Sequence, residues 1–246
     1  MDIMYEKRSY RSLFSNELVM FDVCVGETDL LIGCDSDLTS EALSCVRRAR
    51  AALDRHIRIY PDFKTSLEPL KFDDTYDPLV KSMISAGIAA GTGPMAAGAG
   101  AVSEFVGKEL LKHSEQVFVE NGGDIYFSSI KDRIIAIYAG DSSLSNKVGI
   151  RLRKELFPLG ICTSSGTVGH SYSMGRADAV TVVSKNAALA DAVATATGNL
   201  IKTSDDIENA LNFAMGIKGV IGAIAIIKDK LGAAGDLELA PIAQQG

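Results

Sequence analysis

Tryptophan is absent from this chain of 246 residues, and all aromatic residues together make up only 7% of it. A core with so few large rings has to be assembled from Ala, Val, Ile and Leu, with glycine letting backbones approach one another. Cysteine is scarce too. Cys24, Cys34, Cys45 and Cys162 form no C-x-x-C pair and no spacing with histidine that suits zinc. The opening MDIMYEKRSYRSLF has no apolar stretch ahead of a small-residue cleavage site, so no signal peptide is expected. Reduced thiols and a cytoplasmic location follow as expectations. The segment from Ser82 to Ser103 is uncharged, but it carries five Gly and one Pro among few large apolar residues. It is too weakly hydrophobic to span a bilayer and reads as close-packed. Basic runs are missing as well. With 25 Lys+Arg against 31 Asp+Glu the net charge is −6, which argues against nucleic acid or an anionic membrane as a partner. No repeat, low-complexity stretch or dividing linker is visible, so one domain over 1–246 is expected.

What is present is a well-mixed packing pattern, 47% hydrophobic and 23% charged. Leu18–Val25 and Asp29–Gly33 flank Gly26-Glu27-Thr28 and read as a hairpin. On that pairing Cys24 and Cys34 lie at opposite ends. Thr39 is placed to cap a long helix bearing Leu43, Val46, Ala49, Leu53 and Ile57, ended by Pro61. Residues 61–76 read as an irregular connection, and helices follow through Val80–Ile88 and Val102–Leu110. Asn121-Gly122-Gly123-Asp124 is a strand–turn–strand signal. Strands are expected at 134–138, 148–152 and 179–183, a polar turn at 162–167, and helices from Ala187 and over 205–216. A last hairpin is expected from about 220–228 and 235–239. Strands and helices in mixed order indicate an α+β fold.

Four places could carry chemistry. Gly91, Gly93, Gly98 and Gly100 lack the dinucleotide and P-loop spacings, yet glycine ahead of a helix can let amides approach phosphate. Tight helix packing explains the same residues equally well. Gly122 and Gly123 tolerate positive φ, and a backbone without side-chain walls could also support a flat ring. Asp191 and Thr195 lie four apart on one helix face, an oxygen pair suited to Mg2+; a first-turn acid and a backbone-bonded threonine are the plainer reading. Cys162, Thr163, Ser164, Ser165, Thr167, His170 and Ser171 gather a thiol, hydroxyls and an imidazole within ten residues. His170 could move a proton near neutral pH, and Cys162 could be a nucleophile if a partner stabilised its thiolate. His56 and His113 are expected at the surface.

Taken in order, these segments resemble the ApbE family of FAD-dependent protein flavin transferases. The resemblance rests on the small-residue entry to the helix at 91–110, Asn-Gly-Gly-Asp-Ile at 121–125, Thr-Ser-Ser-Gly at 163–166, Ala-Val-Thr-Val-Val at 179–183 and Ala-Asp-Ala-Val-Ala-Thr at 190–195. It is closer to a smaller, poorly characterised cytoplasmic branch than to the exported transferases. The resemblance implies mixed or antiparallel sheets with packed helices, forming two intertwined related halves around a central cleft that takes FAD or a related nucleotide. It sets Gly93, Gly98, Asn121, Gly122, Gly123, Asp124, Thr163, Ser164 and Ser165 around the ligand. It assigns Mg2+ to Asp191, Thr195 and the carbonyl of Ala96 and sets His170 at the family's histidine position, while Cys162 is a second catalytic candidate from the polar run itself.

The family's lysine is replaced by Ala97, and its His-x-x-Asp-Pro element by His170-Ser171-Tyr172-Ser173-Met174-Gly175. These departures suggest chemistry diverged from flavin transfer to protein, as a Mg2+-dependent transferase or hydrolase. The alternative is an accessory protein in sulfur assimilation or homocysteine formation, with Cys162 presenting sulfur. Either could assemble as a homo-oligomer or with a protein partner.

Overall fold

The computed structural model describes residues 17–167 and 174–242. Strands β1 (Val19–Val25) and β2 (Thr28–Cys34) form the expected hairpin, with Cys24 opposite Asp29 near the turn and Cys34 opposite Val19 at the far end. Helices α1 (Thr39–Ile59), α2 (Asp62–Thr65), α3 (Pro78–Ala90) and α4 (Gly98–Leu110) follow, then β3 (Val117–Asn121) and β4 (Asp124–Ser128). After β5 (Arg133–Ala136) and β6 (Val148–Leu152), the pattern recurs. Strands β7 (Leu159–Ser164) and β8 (Ala179–Ser184) lead to α5 (Ala187–Leu200) and α6 (Ile207–Gly216). Strands β9 (Val220–Ile227), β10 (Lys230–Gly235) and β11 (Glu238–Pro241) complete the order.

An eight-stranded antiparallel sheet runs β1-β2-β3-β4-β7-β8-β9-β10, so two halves of strand pair, helices and strand pair meet at β4–β7. The α+β reading and the antiparallel sheets are as expected from the sequence. Helices cover one face of this sheet, and β11-β6-β5 covers the other. The pleat assigns each strand residue to one layer. Tyr126, Cys162, Val180 and Val182 join the helical core, while Ile125, Phe127, Ile161 and Val183 face the small sheet.

Helix α5 (AALADAVATATGNL) is apolar all round because it is enclosed by α3, α4 and the sheet. Glycine makes that enclosure fit. A Cβ on Gly100 would stand 2.4 Å from the Ala187 carbonyl oxygen, and one on Gly160 would stand 2.3 Å from the Ala187 Cα. Ser82–Ser103 is split by Gly91 in the left-handed region (φ 72°), and no helix among the described residues is long and apolar enough to cross a membrane.

Several local expectations are corrected. Thr39 does not cap α1; Asp37 instead accepts both its N–H (2.9 Å) and its hydroxyl (2.6 Å). Residues 61–76 include the short α2. Residues 162–164 are not turn but the end of β7, because they pair with β8. The final hairpin is β9–β10, and 238–241 crosses to the small sheet against β6. His56 is buried rather than superficial, since rings from the chain that follows α1 close around it: Tyr60 and Phe63 at 4.8 Å and Tyr76 at 4.6 Å between centroids. His113 is exposed, as expected.

Candidate functional site: two carboxyls at the seam of the halves

The seam between β4 and β7 faces the start of α4 and the first turns of α5. Gly122 (φ 68°) and Gly123 (φ 101°) form the two-residue turn joining β3 to β4, a conformation in which both positions favour glycine. Gly123 N–H donates to Glu120 Oε1 at 2.7 Å, and Asn121 Nδ2 donates to the Ala99 carbonyl at 3.3 Å, tying the turn to the beginning of α4. Asp124 opens β4 opposite Cys162. The Ser103 hydroxyl donates to the Asp124 carbonyl at 2.9 Å.

Asp191 enters from α5, and its Oδ2 accepts Gly100 N–H at 2.8 Å. That contact explains the small residues at the start of α4: a side chain at 100 would push the two helices apart, since its Cβ would lie 2.8 Å from the Asp191 Cβ.

Asp124 is 9% exposed and Asp191 8%. Burial pushes the Asp191 carboxyl up to about 7, against the opposing pull of the Gly100 and Ala99 amides. Burial holds Asp124 well above the carboxylate range as well, reinforced by the neighbouring charges of Asp191 and Glu120 and opposed by the Cys162 thiol and the Thr163 amide. Among the described residues no lysine or arginine pairs with either group. Two desolvated carboxyls side by side either keep protons or require a cation.

Cys162 is 0% exposed, with its Sγ donating to the Ala187 carbonyl at 3.3 Å beside the Asp124 carboxyl. Burial and the two aspartates push it well above the ordinary thiol range, so it stays a thiol and lacks the partner a nucleophile needs.

The remaining residues singled out from the sequence divide. Thr195 lies one turn beyond Asp191 and is half-buried; Ala96 belongs to a single 3-10 turn, Pro94–Ala97, at the entrance to α4. Gly98 starts α4, and a Cβ there would meet Met83 and Met95 only at ordinary contact distances. Gly93 is not an open cradle. Its amide donates to the Leu67 carbonyl at 2.9 Å, and a Cβ there would sit 1.8 Å from the Ser66 oxygen, so it is a packing glycine. The pleat separates the Thr-Ser-Ser run: Ser164 lies beside Gly198 on the helical side, whereas the Thr163 hydroxyl bonds Thr181 (2.9 Å) on the other face. Ser165 is half-buried, with its hydroxyl accepting Thr167 N–H at 3.1 Å. His170 lies outside the described residues. Two surface grooves, of about 580 and 370 Å3, lie elsewhere: between α6 and β10, and between α1 and α4.

The sequence reading missed Glu104, a 5%-exposed carboxylate on α4 that accepts Ala187 N–H (2.5 Å) and Lys108 Nζ (2.5 Å), so that α4 holds the first turn of α5. The only sequence signal was a carboxylate four residues before a lysine on a helix.

The two buried acids, which no lysine or arginine meets among the described residues, are chemistry that suits a hard divalent cation. No group of three or more His, Cys, Asp or Glu side chains among the described residues is arranged to hold a metal, so a cation here would complete its shell with ligand or water oxygens.

Comparison with known proteins gives a consistent result. The family model described as "AbpE bacteria" matches residues 11–239. A UPF0280 protein of Methanocaldococcus jannaschii is 41% identical over 221 residues, covering 87% of this chain and 90% of that protein. One from Methanobrevibacter smithii is 39% identical over 194 residues, covering 76% and 82%. Among solved structures, a mutant of the flavin transferase ApbE from Vibrio cholerae superposes with a TM-score of 0.55 at 12% identity, over 89% of this chain and 97% of that one. The flavinyl transferase ApbE of Pseudomonas stutzeri in its apo form gives 0.54 at 15% identity, over 90% and 95%. At such identities the likeness is one of fold.

Proposed function

Since the chain belongs to the AbpE bacteria family, we propose that it binds FAD or a related nucleotide together with a divalent cation at the β4–β7 seam and acts there on the pyrophosphate linkage. The single observation that carries this reading is the pair Asp124 and Asp191, one on β4 and one on α5, buried with no cationic side chain between them among the described residues. Such a pair is unfavourable in a purely structural role and favourable when a cation arrives with a phosphate.

Asp191, Thr195 and the Ala96 carbonyl would hold Mg2+, with Asp124 supplying further negative charge. Bound there, Mg2+ supplies neutralisation of pyrophosphate charge. The chain's own groups do the rest. The amides of Ala99 and Gly100 keep the Asp191 carboxyl oriented. The bare Gly122-Gly123 backbone leaves room for a flat ring or ribose, and the Asn121 amide fixes that turn against α4. His170 is the candidate for moving a proton. The absence of Asp-Pro after it and the presence of Ala97 in place of lysine favour a reaction diverged from flavin transfer to protein.

The reading through sulfur chemistry draws no support from Cys162, whose thiol is enclosed and protonated. The test is calorimetric titration with FAD, with and without Mg2+, on the wild type and on Asp191→Asn. Binding that requires both Mg2+ and Asp191, followed by FMN release, is the expected result. Equal binding by the variant, or no binding under any condition, overturns it.

A further inference from the structure

Residues 60–76, which join α1 to α3, form a strap that includes the short α2. Its own bonds are local. Ser66 N–H donates to the Asp62 carbonyl at 2.8 Å, and Asp73 accepts both the N–H (2.8 Å) and the hydroxyl (2.7 Å) of Thr75. Leu67 is 69% exposed, and Tyr60 and Phe72 are exposed as well. The strap is tied to its surroundings at few points. Both of its ends close on one ring of α1: Tyr60 and Phe63 from the first end, and Tyr76 from the other, meet His56. Tyr60 and Tyr76 also meet each other, at 5.4 Å between centroids. Leu70 rests against the helical core, and Lys81 of α3 donates to the Asp74 carbonyl at 3.1 Å. In the middle, the Leu67 carbonyl accepts Gly93 N–H at 2.9 Å.

We propose that His56 is a pH-sensitive latch on this strap: its neutral ring closes the aromatic corner, and a proton taken up there loosens residues 60–76 and, through Leu67, the loop at Gly93. The latch does not depend on the nucleotide reading, although Gly93 leads through Pro94–Ala97 to the start of α4, whose Gly100 amide holds Asp191.

An imidazole changes charge between pH 5 and 8, and an enclosed one resists doing so. Asp77, which caps α3 by accepting Leu79 N–H at 2.9 Å, is the charge that acts on the ring from the element packed beside it. Its pull toward the imidazolium is outweighed by burial, so His56 lies below the usual histidine value. Arg55 and Arg58 of α1, and Asp62 and Lys64 of α2, are exposed. Burial and the Tyr60 hydroxyl hold the Tyr76 phenol above its usual value, so it stays neutral throughout that window. A proton therefore binds more readily once the corner has opened, and falling pH favours the open form. Because the two ends of the strap share one ring, opening the corner frees both together. The hold on the Gly93 loop is then a single backbone hydrogen bond from a residue whose neighbours face water.

The experiment is hydrogen exchange of the full chain, read by NMR at the Ser66 and Gly93 amides from pH 7.5 to 5.5 as protection relative to the unstructured rate. Both amides are expected to lose about threefold in protection as pH falls, the size that a modest histidine shift supplies. The loss should follow the titration of the His56 ring protons in the same samples. In His56→Phe, which keeps an aromatic ring in the corner, both protections are expected to stay level. A wild type that stays level overturns the proposal, and so does an equal loss in the two proteins. Loss at Ser66 without loss at Gly93 overturns it as well, since the strap would then move without the loop. Should His56→Phe fail to fold, a wild-type midpoint that departs from that of the His56 ring overturns it equally.

Discussion

Helices α4 and α5 share two buried carboxylate contacts about one turn apart on α5, and the two are solved in opposite ways. Glu104 is surrounded by what a buried carboxylate needs: the first N–H of α5, the Asn186 amide at 3.4 Å, and Lys108. Asp191 receives two amides but faces a second acid, Asp124, and no cation. Burial is nearly the same at both places. What separates a carboxylate that holds helices together from one that awaits a ligand is therefore the counter-charge. Removing the first should weaken the fold, and removing the second should strengthen it.

The largest effect is expected at the glycine that lets both contacts form. Gly100→Ala drives a Cβ to within 2.4 Å of the Ala187 backbone oxygen, which has no rotamer with which to yield. A loss of about 3 kcal/mol follows from overpacking of this kind, read as a lower urea midpoint at unchanged slope. An unchanged midpoint would mean that the helix pair is looser than its geometry implies. Next comes Glu104→Ala, which strands the Ala187 amide and should cost about 2 kcal/mol. Glu104→Gln keeps an acceptor and should cost less. The order matters: if Glu104→Gln equals Glu104→Ala, charge rather than the cap is what Glu104 contributes.

Asp191→Asn should move in the other direction. The carboxamide still accepts Gly100 N–H and gives Asp124 a donor in place of a like charge, so the ligand-free protein should gain about 1 kcal/mol at pH 8. The sign with pH is fixed by the raised carboxyl. Between the ordinary value of 3.8 and about 7 the folded chain holds a proton that the unfolded chain has released. Wild-type stability from this group therefore falls as pH rises through that window and levels off above it. The gain in Asp191→Asn should vanish near pH 4. A variant less stable than wild type at pH 8 would break the contrast with Glu104.

Much of this arrangement was legible in the sequence, and the limits are physical. The hairpins were marked by Gly-Glu-Thr and Asn-Gly-Gly, and the helices by their apolar spacing, since both signals are local. The two related halves left no sequence repeat because they share an order of strands and helices rather than side chains. Asp124 and Asp191 could be chosen individually, but 66 intervening residues hide the fact that they meet. Gly93 and Gly100 look alike in sequence, yet one packs a loop and the other two helices. The run Cys162–Ser165 read as a polar turn because its hydroxyls hide a strand whose faces alternate. Glu104 was missed because an acid on an amphipathic helix ordinarily points to water.

His56 supplies the smallest test and a third way for a titratable group to be buried. It is 8% exposed within Tyr60, Phe63 and Tyr76, where neither a capping amide nor a ligand is required so long as the ring stays neutral. Burial holds it below the usual histidine value, with the charge of Asp77 opposing. The stability it contributes is complete above pH 6.5 and is lost as pH falls toward the folded-state value, because the unfolded chain takes up the proton first. That slope runs opposite to the one from Asp191, so the two partly cancel in the wild type. In an Asp191→Asn background the raised Asp124 carboxyl keeps a slope of the Asp191 sense. Measured there, the stability difference between the chain with His56 and the one with His56→Phe should change between pH 7.5 and 5, by about 0.5 kcal/mol against His56 for a modest histidine shift. Parallel profiles with and without His56 would show that the aromatic corner opens readily enough for the ring to titrate as it does in water, and the corner would then belong with the loosely held parts of the fold rather than with its core.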